Sequence, residues 1–69
     1  ATFNLTPKEV EVLRLLGRSH SNRQISQALD MSEATVRRHL THIYTKLQAT
    51  SRVEAIATAL REGIIREPG

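Results

Sequence analysis

The sequence contains no cysteine and no tryptophan. The missing thiols exclude a disulfide framework, a thiolate zinc site and a thiol nucleophile. Aromatic residues are almost as scarce. Phe3 and Tyr44 are the only two, so a core must be assembled from Leu, Ile, Val and Ala. No apolar run approaches the roughly 18 residues that read as a membrane span, and no signal peptide is visible, so a cytoplasmic protein without membrane contact is expected. A Gly-rich phosphate loop is absent. The acids do not pair into a buried dyad, and no Ser and His are spaced with an oriented third partner. Neither an enzyme nor a cofactor is therefore expected. One further absence is local: residues 34–53 contain no Asp or Glu, yet they hold Arg37, Arg38, Lys46 and Arg52. Whole-chain net charge is only +3, so this gap, rather than the total, is the electrostatic footprint of an acidic partner.

The length, 69 residues, allows one domain. A chain this short buries only roughly 60% of its unfolded surface, so its stability is marginal. It begins with Ala1, and its only methionine is Met31. The expectation is a domain cut from a larger protein with a regulatory domain on its N-terminal side, or a processed chain.

What is present is a set of legible helix starts. "TPKE" (Thr6 to Glu9) offers an N-cap hydroxyl, a proline at the first helical position and a glutamate at the third. "SNRQ" (Ser21 to Gln24) and "SRVE" (Ser51 to Glu54) repeat the capping-box pattern, and Ser32 in "SEAT" is a fourth cap without the reciprocal acid. Such side chains satisfy the amide groups that the first helical turn leaves free. Gly17 and Gly63 stand where helices should stop. Four helices follow, at about 7–17, 22–29, 33–48 and 52–62, giving an all-α domain. Their core-facing residues fall at helical spacing: Val12, Leu13 and Leu16; Ile25 and Leu29; Val36, Leu40, Ile43 and Leu47; Ala55, Ile56 and Ala59, then Ile64. No strand pattern, repeat or low-complexity segment is found, and "REPG" reads as a frayed tail.

The second and third helices are the informative pair. "ALDMSEAT" leaves about three residues between Leu29 and Glu33, the short connection of a helix-turn-helix whose second helix enters a major groove. At about 100° per residue, Arg38 and Thr45 point almost opposite the core stripe of that helix, with Ala34 and Thr41 beside them. Arg37 and His42 flank this face, and His39 and Lys46 sit nearer the edge of the core. Small residues allow close approach, and Arg38 has the reach to pair with base edges. The bland alternative is a solvated polar face. Metal binding by His39 and His42 is not expected, because zinc takes three or four protein ligands and no further well-placed one exists. His39 reads as a half-buried ring bonded to a backbone or side-chain oxygen, and His42 as a rim residue near phosphate. Glu9 has two readings that the sequence leaves open: it closes the Thr6 box, or it pairs with Lys46 or Arg52 across helices.

Together, "LTPKEVEVLRLL", "SNRQISQALDMSEATVRRHLTHIYTKL" and "SRVEAIATALREGII" resemble the LuxR-type helix-turn-helix domain. That domain is the output module of LuxR quorum-sensing regulators and of NarL/FixJ response regulators. The likeness runs from about Leu5 to Ile65. It implies a four-helix domain that binds double-stranded DNA as a dimer on a two-fold operator, recruiting or blocking RNA polymerase. It implies base contacts at Arg37, Arg38 and Thr41, and phosphate contacts at Ser21, Asn22, Thr35 and Thr45. It also implies a weak homodimer through the fourth helix, where Val53, Ala57 and Leu60, with Arg61 beside them, lie off the core stripe. Departures are visible: Ser19 replaces a usual glycine, Ser26 a usual alanine, and Gln48–Ala49 a usual Gly–Val. Thr41 often has a longer polar or basic counterpart.

Two rivals remain. The first helix followed by a helix-turn-helix is similar to region four of bacterial sigma factors, which lacks an ordered fourth helix of this kind. A helical protein-interaction module that never touches DNA is the other, and its mark would be a flat salt response.

Overall fold

The structure, a computed structural model, describes residues 3–66. Four helices are present: α1 (Pro7–Gly17), α2 (Asn22–Leu29), α3 (Glu33–Leu47) and α4 (Arg52–Arg61). The expected all-α class and helix order are found, with α3 and α4 each one residue shorter than expected. Gln48 and Glu62 are their C-caps.

The caps explain where the helices begin. Thr6 Oγ1 accepts from the Glu9 amide at 3.1 Å, and the Glu9 carboxylate returns to the Thr6 amide at 3.0 Å. Ser21 and Gln24 form the same reciprocal pair at 3.1 and 2.8 Å. Ser32 caps α3 one way, by accepting from the Thr35 amide. The fourth start differs from expectation. Ser51 accepts from the Glu54 amide, but Glu54 does not return to Ser51. Its carboxylate reaches one residue further back, to the amide and hydroxyl of Thr50. The extended Ser51 backbone, with φ −153°, leads into that alternative contact.

α1 and α3 each pack against all three other helices, whereas α2 and α4 do not touch one another. The core between them consists of Val12, Leu13, Leu16, Ile25, Val36, Leu40, Ile43, Leu47, Ala55, Ala59 and Ile65. Three expected core residues, Leu29, Ile56 and Ile64, are only half-buried. On α4 the buried face is Ala55, Thr58 and Ala59, the i, i+3, i+4 set, so Ile56 turns to the side. Beyond α4 the helical register ends. Gly63 adopts φ +72°, and the amides of Ile64 and Ile65 both bond back to Ala59 O. That reversal sends Ile65, not Ile64, into the core.

α1 stops at Gly17 as its position suggested, but Gly17 itself is not left-handed. It is helical, and a Cβ there would lie 2.7 Å from Ile65 Cδ1, so a side chain at 17 would require the end of Ile65 to shift. The left-handed residue after α1 is Ser19, at φ +68°. Gln48, at φ +55°, is left-handed after α3. Both are positions where the resemblance expects glycine, and both carry the strain that glycine would avoid. Asp30, at φ +55°, closes α2, and the connection to α3 is only Asp30, Met31 and Ser32. Asp tolerates this conformation better than most residues.

Candidate nucleic-acid interface

α3 is anchored by its buried stripe, Val36, Leu40, Ile43 and Leu47. The opposite side carries Ala34, Arg37, Arg38, Thr41, His42 and Thr45, all exposed. Arg37 and Arg38 form no ion pair among the described residues. Two guanidinium groups, five donors each, thus stand at the surface without an internal acceptor.

The threonines are more committed than their sequence positions suggested. Thr41 Oγ1 donates to Arg37 O at 3.0 Å, and Thr45 Oγ1 donates to Thr41 O at 3.0 Å. Each hydroxyl has one proton, so both keep an acceptor lone pair and a methyl group outward. Thr35 is half-buried, and its Oγ1 lies 2.9 Å from Ser32 Oγ. At the start of α2, Ser21 is exposed and Asn22 half-buried, and no acid occupies the first turn. The Ser21 hydroxyl accepts from Gln24 and still holds its own proton for an anion. The free amides and dipole of a helix start favour phosphate there.

The edge of α3 nearest α1 is built differently. Glu9 is 3% exposed, and its Oε1 accepts from the Thr6 amide and from Lys46 Nζ, the latter at 2.7 Å. Both sequence readings of Glu9 hold at once, with Lys46 as the cross-helix partner. Arg52 is not that partner: its Nη2 donates to His20 O at 2.6 Å. His42 Nδ1 lies 3.9 Å from Glu9 Oε2, with 57% of its side chain exposed. Burial pushes the Glu9 carboxyl up, but the hydrogen bonds from Lys46 and the Thr6 amide, with the charges of Lys46 and His42, outweigh it and hold Glu9 below the ordinary 4.5. Lys46 also donates to Asn4 O at 2.9 Å.

His39 is half-buried as expected, but its ring makes none of the hydrogen bonds found among the described residues. His20 keeps a buried, unpartnered Nδ1. No three metal-ligating side chains come together among the described residues. On α4, Val53 is 76% exposed, and Ala57 and Arg61 are also exposed. Leu60, expected off the core stripe, is half-buried against the core, so the apolar patch is smaller than anticipated. No helix among the described residues is long and apolar enough to cross a membrane. Sequence reasoning missed the Asn4 carbonyl and the Arg52–His20 link, because backbone acceptors leave no residue-type signal.

Comparison with known proteins adds to this geometry. The profile of the family described as bacterial regulatory proteins, luxR family, matches residues 3–59. A putative HTH-type transcriptional regulator of Mycobacterium tuberculosis (strain H37Rv) is 45% identical over 60 residues, covering 87% of this chain and 7% of that protein. The structure of the transcription factor GerE superimposes with a TM-score of 0.85 at 38% identity, covering 94% of this chain and 96% of GerE. The response regulator ChrA of a heme-sensing two-component system gives a TM-score of 0.86 at 44% identity, covering 88% of this chain and 30% of ChrA. The chain thus spans a small part of the longer regulators it matches.

Proposed function

We propose a function from one premise: this chain belongs to the LuxR family of bacterial regulatory proteins. It is a DNA-binding output domain that recognises a two-fold operator as a dimer in the cytoplasm, and so recruits or blocks RNA polymerase. The observation that carries this reading is the outer face of α3, where Arg37 and Arg38 are exposed and pair with no acid among the described residues. α3 enters the major groove. Arg38 and Arg37 reach base edges, and a bidentate pair with guanine contributes about 1–3 kcal/mol of discrimination.

Thr41 reads differently. With its proton given to Arg37 O, it offers a methyl for a thymine and a lone pair for a base amine. Ser21 and Asn22 hold phosphate at the start of α2, while Thr35, His42 and Thr45 flank the groove. Val53, Ala57 and Arg61, with the outer edge of Leu60, form the weak dimer face.

The test uses a duplex enriched by the protein from a randomised pool. Arg38→Ala is expected to lose about 1–3 kcal/mol at one base position. Asn22→Ala should weaken all sequences alike. Unchanged affinity and preference in Arg38→Ala would refute this orientation of α3. A salt-independent affinity would refute DNA binding itself.

A further inference from the structure

The four cations of the acid-free stretch do not share one role. Arg37 and Arg38 stand outward. Lys46 and Arg52 turn inward, Lys46 to two oxygens of the scaffold and Arg52 to one. We propose that Lys46 and Arg52 are positioning residues, which set the attitude of the α2–α3 pair and contribute no phosphate contact. The proposal rests on the DNA-binding reading above.

For Lys46 the argument is one of occupied donors. An ammonium has three N–H groups. Here it bonds both Glu9 Oε1 at 2.7 Å and Asn4 O at 2.9 Å, and its side chain is 30% exposed. Swinging it out to a phosphate would leave a carboxylate that is 4% exposed without its cation. Removing one partner of a buried pair costs far more than an exposed ionic contact returns. Lys46 lies in the last turn of α3, and its two acceptors lie just before and within the first turn of α1. It therefore fixes the far end of the reading helix.

Arg52 performs the same task for α2. Its acceptor, His20 O, belongs to the residue directly before the N-cap Ser21. Because α2 and α4 do not touch, this bond links the first turn of α4 to the entrance of α2. Each helix of the reading pair is thus pinned at one end by a cation that electrostatics alone would assign to DNA.

The experiment compares the parent, the paired variant Glu9→Gln with Lys46→Met, and Arg52→Met with Arg52→Lys as rescue. The paired variant removes both charges, so no lone carboxylate is left buried. Binding to the enriched duplex and to a scrambled duplex is measured by fluorescence anisotropy across a salt series, on protein shown folded by circular dichroism. A lost phosphate contact lowers the log–log salt slope by about 0.9. The expected result is an unchanged slope, a cognate-to-scrambled ratio reduced about tenfold or more, and recovery of that ratio in Arg52→Lys. A slope lower by about 0.9 in either variant, or an unchanged ratio, overturns the proposal.

A second measurement needs no variant. Lys8 and Lys46 are the only lysines. Acetylation of the parent with and without duplex should find Lys46 slow in both states, with exposed Lys8 as the internal reference. Fast reaction of free Lys46, or protection only by duplex, overturns the proposal. A parent that binds neither duplex sinks the DNA-binding reading instead.

Discussion

The outer faces of α3 and α4 stand on one core and have opposite chemistry. α3 presents two exposed arginines among threonines, whereas α4 presents Val53, 76% exposed, with Ala57 near Arg61. Neither face contributes a residue to the buried core. The difference teaches that the two surfaces are independent in contact and dependent in support. α3 packs on every other helix, so an error in the core reaches both faces, while an error on one face stays there.

The most severe way to break the comparison is therefore from beneath. Ile43 is fully buried, and Ile43→Ala should cost about 2–5 kcal/mol. For a domain this small, that approaches a total stability on the order of 5 kcal/mol. Thermal melts should show the loss, and operator binding and dimerisation should fail together. Acid gives a graded version. Glu9 is held below the ordinary 4.5, so its contribution is present above that value and is lost as pH falls through its folded value. Stability measured by urea melts should decline at acid pH in the parent, and Glu9→Gln should flatten that limb.

A surface change should separate the two faces. Val53→Asp should alter folding stability by no more than about 0.5 kcal/mol. It should leave half-site binding intact while weakening full-site binding about tenfold. Equal loss on both sites would mean that the α4 face is not an interface. The smallest effect sharpens the comparison by touching neither face. Gln48→Gly relieves a left-handed residue and should raise stability by about 0.5–1 kcal/mol, read as a higher melting temperature with unchanged affinity.

What was legible in the chain was what local chemistry dictates. The cap residues Thr6, Ser21, Ser32 and Ser51 marked all four helix starts, and the three-residue turn marked the α2–α3 pair. The exposed arginines of α3 followed from the position of its buried stripe. Misreadings arose where a contact depends on distant backbone. Ile65 replaced Ile64 because the chain reverses at Gly63, and Thr58 entered the core because Ile56 turned aside. Gly17 was legible as the end of α1, but its contact with Ile65 was not, because sequence cannot display that approach. Ser19 and Gln48 carried a usable signal: each departs from an expected glycine, and each is left-handed.

The contact between Gly17 and Ile65 also bears on synthesis. A ribosome delivers this chain N-terminus first, at about 5–20 residues per second. The residues of α1 to α3 emerge first, but Gly17 gains its Ile65 neighbour only when residue 65 arrives. The last piece of this core to leave the exit tunnel closes against the first of its four helices. Folding therefore completes only after nearly the whole domain has been translated, and a stalled chain ending before Ile65 would display the unsealed core to chaperones and proteases.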